Sequence, residues 1–281
     1  MLNINFSEQL CAYYQPEQRA MWSIWHPSPR PCFNMALLGD LKSYCEFLSQ
    51  SQTQIEYQGE LCSIEYVVLA SKLPGVFNLG GDIELFLRSS LTQDRSDLLD
   101  YARACIDVIY ACYSAFNLPV TTISLVQGDA LGGGFETALS CDIIVAERSS
   151  RFGFPEIKFG MFPGMGAYSL LYRRIGLRCA EELITSGKIY TAGEMLDKGL
   201  IHFIVEDGDG ETGISELIDS RKRRRNSLNA IGKTRRRVQQ IEYAELLEIV
   251  EIWVDCALNL TEHNLDMMRR LVSRQDGIKF S

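Results

Sequence analysis

The run from Val120 to Glu147 constrains the fold of this chain more than any other stretch. VTTISLVQ is apolar and strongly β-branched, the composition of a buried strand. GDALGGGFETALS then turns that strand into a helix, with glycines at the junction. CDIIVAE follows at once as another strand. Strand, glycine turn, helix and strand in close succession predict an α/β fold.

The flanking sequence continues the alternation. QRAMWSIWH at 18–26 has partial strand character and is broken by PSPRP. MALLGDLKSYCEFL at 35–48 has the apolar spacing of a helix packed on a sheet. EYVVLAS at 65–71 reads as a buried strand, KLPGVFNLGGD as a loop, and DIELFL as a short helical turn. Tyr101, Cys105, Val108, Ile109 and Cys112 recur at helical spacing, so a long helix is expected over 95–117 with Pro119 at its exit. RFGFPEI is a short strand leading into a loop, a helix is expected to start near Pro163, and IHFIVED at 201–207 is the last strand. Residues 1–17 read as a polar, irregular leader or edge segment. Beyond residue 210 the composition is helical, with an apolar period in YAELLEIVEIWVDCALNL. The expected division is an α/β core over 1–207 and a helical region over 208–281 that serves oligomerisation and caps the site.

Composition narrows the function classes. A formal net charge of −8 and a pI near 5.1 argue against a protein that coats nucleic acid. No stretch reaches the ~18 apolar residues of a membrane span, and MLNINFSEQL lacks the pattern of a secretory signal. Nine cysteines without a CxxC pair, most of them in apolar runs, suit buried thiols in a reducing, cytoplasmic compartment. His26, His202 and His263 are too dispersed to suggest a metal site or a histidine-centred triad.

The glycine-rich turn matches neither GxGxxG nor GxxxxGK[ST], so nucleotide binding has little support. Glycines at a strand-to-helix junction instead let a ligand approach the backbone. The first N–H groups of the helix lack intrahelical partners and can donate to a developing oxyanion. NLGGD offers a second such site, with Asp82 placed to cap the next helix. Donors from the two loops could polarise one thioester carbonyl; both segments also fit tight turns needed only for packing. Glu136 and Glu156 each lie beside glycine-rich backbone in an apolar stretch. Two such carboxylates suit acid–base work on a carbon skeleton.

VQGDALGGGFETALSCDIIVAERSSRFGFPEIKFGMFPGMGA resembles the central signature of the crotonase, or enoyl-CoA hydratase/isomerase, superfamily. FNLGGDIELF resembles its first oxyanion-loop motif, and KIYTAGEMLDKGLIHFIVED the segment after its active site. The resemblance covers residues 64–206. It implies a crotonase-like fold of repeated ββα units with a C-terminal helical module. It also implies catalytic Glu136 and Glu156, an oxyanion hole from the N–H groups of Gly81 and Gly133, and no metal or permanently bound cofactor. The substrate thioester would ride on acyl carrier protein phosphopantetheine or on coenzyme A.

Within the superfamily the chain looks most like the bacterial diffusible-signal-factor synthases. That implies dehydration of a 3-hydroxyacyl carrier-protein thioester to a 2-unsaturated, cis product, and hydrolysis to a free fatty acid used in quorum sensing. The alternatives are a coenzyme-A hydratase or isomerase of fatty-acid metabolism, and a crotonase-fold scaffold without turnover. Met161, Phe162, Met165 and Leu170, with Trp253 and Leu258 from the tail, are candidates for an acyl channel, and fit an ordinary core equally well. RKRRR at 221–225 and KTRRR at 233–237 concentrate positive charge in an otherwise acidic chain. Arg221, Arg223, Arg225, Arg235 and Arg236 are therefore candidates for docking acidic carrier protein or coenzyme-A phosphates, or else a solvated helix face. The resemblance further implies a homotrimer or hexamer and allows a sensor-protein partner.

Overall fold

A computed structural model describes residues 2–276. Its larger sheet has seven strands: β1 (Leu2–Asn5), β2 (Leu10–Gln15), β3 (Ala20–Trp25), β6 (Tyr66–Ser71), β8 (Thr121–Val126), β10 (Ile143–Glu147) and β13 (Phe203–Val205), in that spatial order. β1, β2 and β3 are antiparallel, and β3, β6, β8, β10 and β13 run parallel. A smaller sheet has the order β12 (Ile189–Thr191), β11 (Arg151–Gly153), β9 (Asp129–Leu131), β7 (Val76–Asn78). β4 (Gln54–Tyr57) and β5 (Glu60–Ser63) form a separate hairpin.

The helices are α1 (Met35–Ser51), α2 (Ile83–Leu91), α3 (Arg95–Tyr113), α4 (Gly133–Ser140), α5 (Ala167–Ser186), α6 (Ala192–Asp197), α7 (Gly210–Arg221), α8 (Arg225–Val238), α9 (Tyr243–Leu258) and α10 (Glu262–Asp276). The expected α/β fold with ββα repeats is present. β6–β7–α2, β8–β9–α4 and β10–β11–α5 each place one strand in the large sheet, the next in the small sheet, and then enter a helix. All six residues of β8 and all five of β10 are buried, as parallel strands covered on both faces require. One face carries the main core beneath α1, α3 and α4, and the other packs on Ile214 and Ile218 of α7. No helix among the described residues is long and apolar enough to cross a membrane.

This topology positions the site. β7, β9 and β11 are parallel neighbours, so their C-terminal ends lie side by side. The three exits carry Gly80–Gly81, Gly132–Gly133 and Phe154–Glu156. Helix and loop starts from distant parts of the sequence therefore converge on one edge of the small sheet.

Several expectations are corrected. Of the two readings of the first residues, the edge segment is the one found: residues 2–5 and 10–15 are the outer strands of the large sheet and regular, not a leader. Leu10, Ala12 and Tyr14 alternate into the core, a period-2 signal diluted by the polar residues between the strands. The segment read as a loop at 72–82 contains β7, and Asp129–Leu131 and Ile189–Thr191 are further short strands, each only three residues long. The fifth helix starts at Ala167, four residues beyond Pro163, because Gly166 sits at φ +117, outside helical geometry.

Candidate active site

Gly132 makes the turn from β9 into α4 at φ +51, a conformation that L side chains rarely adopt. Its N–H donates to Gly153 O at 2.9 Å, tying this turn to the end of β11. A Cβ here would lie 2.1 Å from Oε1 of Glu156, so the glutamate rests directly against the turn. Gly133 follows as the first residue of α4, where its N–H has no intrahelical partner.

The second loop leaves β7. Asn78 Oδ1 accepts the N–H of Gly80 at 2.7 Å, and Gly80 O accepts the N–H of Phe33 at 2.8 Å. Asp82 caps α2 by accepting the N–H of Leu85, as its position suggested. The Tyr101 hydroxyl accepts the Asp82 N–H at 3.0 Å and donates to Phe33 O at 2.7 Å. These bonds hold the loop on both sides of Gly81 and leave the Gly81 N–H without an acceptor among the described residues. The loops touch: a Cβ on Gly80 would sit 3.0 Å from the nitrogen of Gly133.

Glu136 lies one turn into α4 and is 1% exposed. Ala167 N–H, at the start of α5, donates to its Oε1 at 2.8 Å. Burial pushes its carboxyl up to about 7, against the opposing effect of hydrogen bonds from the Ala167 and Met165 backbone. Glu156 follows Pro155 in a single 3₁₀ turn. Burial and then the charge of Glu136 push it up to about 8. Its Oε2 is buried without a hydrogen-bond partner, which leaves that atom available to a ligand. Around neutral pH the pair therefore retains a proton, because burial disfavours both charges and the charge of Glu136 further opposes that of Glu156.

Gly81, Gly133, Glu136 and Glu156 line one cavity with Phe86, Tyr101, Cys105, Phe162, Met165 and Trp253. Its volume of about 30 Å³ holds a water molecule or two and no acyl thioester. Trp253 of α9 forms one wall. Its ring meets Phe86 edge-on at 4.8 Å, and a Cβ on Gly164 would strike it at 2.3 Å. A thioester therefore needs this cavity to widen, and Trp253 and Phe86 form part of its wall.

Of the acyl-channel candidates, Phe162, Met165 and Trp253 reach this cavity. Met161 is packed in the core, Leu170 borders a different cavity behind α4, and Leu258 packs against the core edge; none of these three lines the site. The basic tail does not project freely. Arg235 and Arg236 grip Asp142, Arg225 pairs with Glu65, and Arg221 bonds Tyr66. Arg223 is exposed.

Sequence reasoning missed Phe86 and the positioning role of Tyr101. It also missed Phe135, which is fully buried and stacks on Phe154 at 5.2 Å and against Phe152 at 5.1 Å. Phe135 thereby locks the helix of Glu136 to the turn of Glu156. Its place beside one glutamate, and that of Phe154 two residues before the other, was the available signal.

The ββα repeats and this convergence of two glycine loops on two glutamates define a crotonase-like protein. Residues 50–221 match the enoyl-CoA hydratase/isomerase family, and the chain belongs to it. It is 34% identical over 157 residues to human mitochondrial methylglutaconyl-CoA hydratase, covering 56% of this chain and 44% of that protein. The chain thus spans about half the length of such curated relatives. Among solved structures, enoyl-CoA hydratase from Bacillus halodurans superposes with a TM-score of 0.76 at 22% identity, covering 93% of this chain and 99% of that one. Pseudomonas aeruginosa DspI gives 0.70 at 20%, covering 98% of each. At these identities the two structures establish the fold alone.

Proposed function

We propose that the chain is an acyl-thioester hydro-lyase that interconverts 3-hydroxyacyl and 2-enoyl thioesters. The observation that carries this reading is the confluence of Glu136, Glu156, Gly81 and Gly133 in one narrow, largely apolar cavity. The thioester oxygen sits between the N–H groups of Gly81 and Gly133, which stabilise enolate charge where water cannot. Glu156 serves C2 and Glu136 serves the oxygen at C3. In dehydration Glu156 takes the C2 proton, the electron pair forms the C2–C3 double bond, and Glu136 protonates the departing hydroxyl as water. Hydration is the reverse.

The place of the proton that the raised carboxyls share differs between the two directions. Glu156 is the harder to ionise, and Glu136 has backbone donors that favour its charge. Hydration starts with Glu156 protonated and Glu136 ionised. Dehydration starts from the reverse state, and the pair's titration decides how the two are populated. A coenzyme-A hydratase is the second form of the proposal, supported by the family match and the likeness to methylglutaconyl-CoA hydratase.

The finer reading is a signal synthase. In it the substrate is a 3-hydroxyacyl thioester on acyl carrier protein, the product is a cis-2-unsaturated acyl group, and the same oxyanion hole supports its hydrolysis. Water would attack the thioester carbon, the C–S bond would break, and the thiol would leave with a proton. The FNLGGD motif and the basic tail support this reading. Arg223 is the exposed member of that tail set, so carrier docking falls chiefly to it and its neighbours. A homotrimer or hexamer, a contribution of the helices beyond 208 to capping and assembly, and a sensor-protein partner belong to the same reading. A reducing, cytoplasmic setting suits nine free cysteines.

Mass spectrometry of products from purified protein, given 3-hydroxyacyl thioesters on carrier protein and on coenzyme A, tests it. Free unsaturated acid is expected from the carrier-bound substrate. Unsaturated product retained on its carrier removes the thioesterase step. No turnover of either thioester overturns the enzymatic reading and favours a scaffold.

A further inference from the structure

α4 has the glutamate cavity at its N-terminal end and a second cavity at the other. This second cavity, of about 170 Å³, is bounded by the α4–β10 turn, α5 and the basic α8. Four guanidinium groups line it, those of Arg173, Arg174, Arg235 and Arg236, and Asp142 is the one carboxylate among its lining residues.

Asp142 is fully engaged. Its carboxylate accepts the Thr122 N–H at 3.0 Å, Arg236 Nη1 at 2.7 and 2.9 Å, and Arg235. Arg173 is balanced by Glu245 at 2.8 Å. Arg174 makes no ion pair among the described residues. It donates instead to the carbonyls of Leu139 and Cys141, the negative end of the α4 dipole. Two carboxylates thus face four fixed positive charges.

His202 supplies a neutral donor. Its Nδ1 accepts the Ile144 N–H at 3.1 Å, so in the neutral ring the proton resides on Nε2. Burial, with Arg174 and Arg235 nearby, lowers its pKa to about 4 and keeps the ring neutral. Nε2–H has no acceptor among the described residues, and His202 lines the cavity.

We propose that this cavity binds a small phosphate-bearing anion, held by Arg174, Arg235, Arg236 and the Nε2–H of His202. Guanidinium groups approaching from two helices and an imidazole donor suit the several oxygens of a tetrahedral anion better than one planar carboxylate. Two of the donors are recessed: the Arg236 side chain is 18% exposed, and Arg174 is desolvated enough for its pKa to fall to about 10, while Arg235, 40% exposed, stands nearer the solvent. A small anion reaches them where an acidic protein surface does not. Bound there, it bridges α5, α8 and the start of β13 and pins the basic tail to the core.

Isothermal titration calorimetry of the full chain at constant ionic strength tests this, with inorganic phosphate and glycerol 3-phosphate as titrants and chloride as the control. Saturable one-to-one binding is expected. Arg235→Gln should weaken it about tenfold, the effect of losing one charge-assisted bond. That variant leaves Arg236 on Asp142. Arg237→Gln should leave binding unchanged, because Arg237 bonds Gln240 at 2.9 Å and does not line the cavity. In the wild type, phosphate should slow amide exchange in residues 139–142, 171–175 and 233–239, which tests the site whether or not the variants fold. The better of the two titrants identifies free phosphate or a phosphate ester as the ligand. No saturable binding, equal weakening in both variants, or protection confined to other segments would overturn the proposal.

Discussion

Replacing Glu156 with glutamine removes a charge that the fold resists holding, so a variant expected to lose activity should gain stability at alkaline pH. Burial and the neighbouring Glu136 raise the Glu156 carboxyl from the ordinary value of 4.5 to about 8. Below 4.5 the folded and unfolded chains both carry the proton, and the site costs nothing. Between 4.5 and about 8 the unfolded chain releases it while the folded chain keeps it, so stability falls as pH rises. Above about 8 the loss is complete. Each tenfold difference in proton affinity between the two states is worth about 1.4 kcal/mol. Discounted for coupling to Glu136 and for the hydrogen bonds a buried amide still lacks, the penalty approaches roughly 2–4 kcal/mol. Urea unfolding of wild type and Glu156→Gln, followed by circular dichroism at pH 5 and pH 8, reads it directly. The advantage of the variant should be small at pH 5 and near its maximum at pH 8. An advantage independent of pH, or a wild type that is the more stable at pH 8, would refute the desolvation argument.

Three further outcomes follow from the packing around the site. Tyr101→Phe removes the hydroxyl that fixes the Gly81 loop; kcat for hydration should fall about tenfold or more with KM little changed, and unaltered kcat would deny the positioning role. Phe135→Ala empties the aromatic clamp between the two glutamates and should cost about 3–5 kcal/mol in denaturant unfolding, as large-to-small changes of buried aromatics do. Trp253→Ala removes a ring from the cavity wall. It should raise kcat/KM for long acyl chains relative to short ones, and an unchanged chain-length profile would place the entrance elsewhere.

The strand–glycine–helix run around Gly133 was legible because its elements are long, apolar and joined by a turn that demands glycine. Glu136 and Glu156 stood out because carboxylates are costly in such surroundings. β7, β9 and β12 were not legible: three residues carry too little periodicity, and they exist as strands because they pair in the small sheet. The exit of α5 from Gly166 was hidden by Pro163, which suits a helix start locally but is followed by a glycine at positive φ. The basic tail misled for a different reason. RKRRR and KTRRR look solvent-facing by composition, yet Arg235 and Arg236 are needed to neutralise Asp142, 93 and 94 residues earlier in the chain. No local pattern records such a pairing. Phe86 and Tyr101 likewise read as ordinary core residues until the Gly81 loop is placed against them.

Hydration of a 2-enoyl thioester in deuterated water tests the central claim most directly. If the two glutamates act with the proposed Gly81–Gly133 oxyanion hole, one solvent deuteron should reach C2 and a solvent hydroxyl C3, read by mass spectrometry and proton magnetic resonance of the product. Glu136→Gln and Glu156→Gln should each abolish the reaction while circular dichroism shows them folded. Undiminished deuterium incorporation at C2 in either variant would contradict the account.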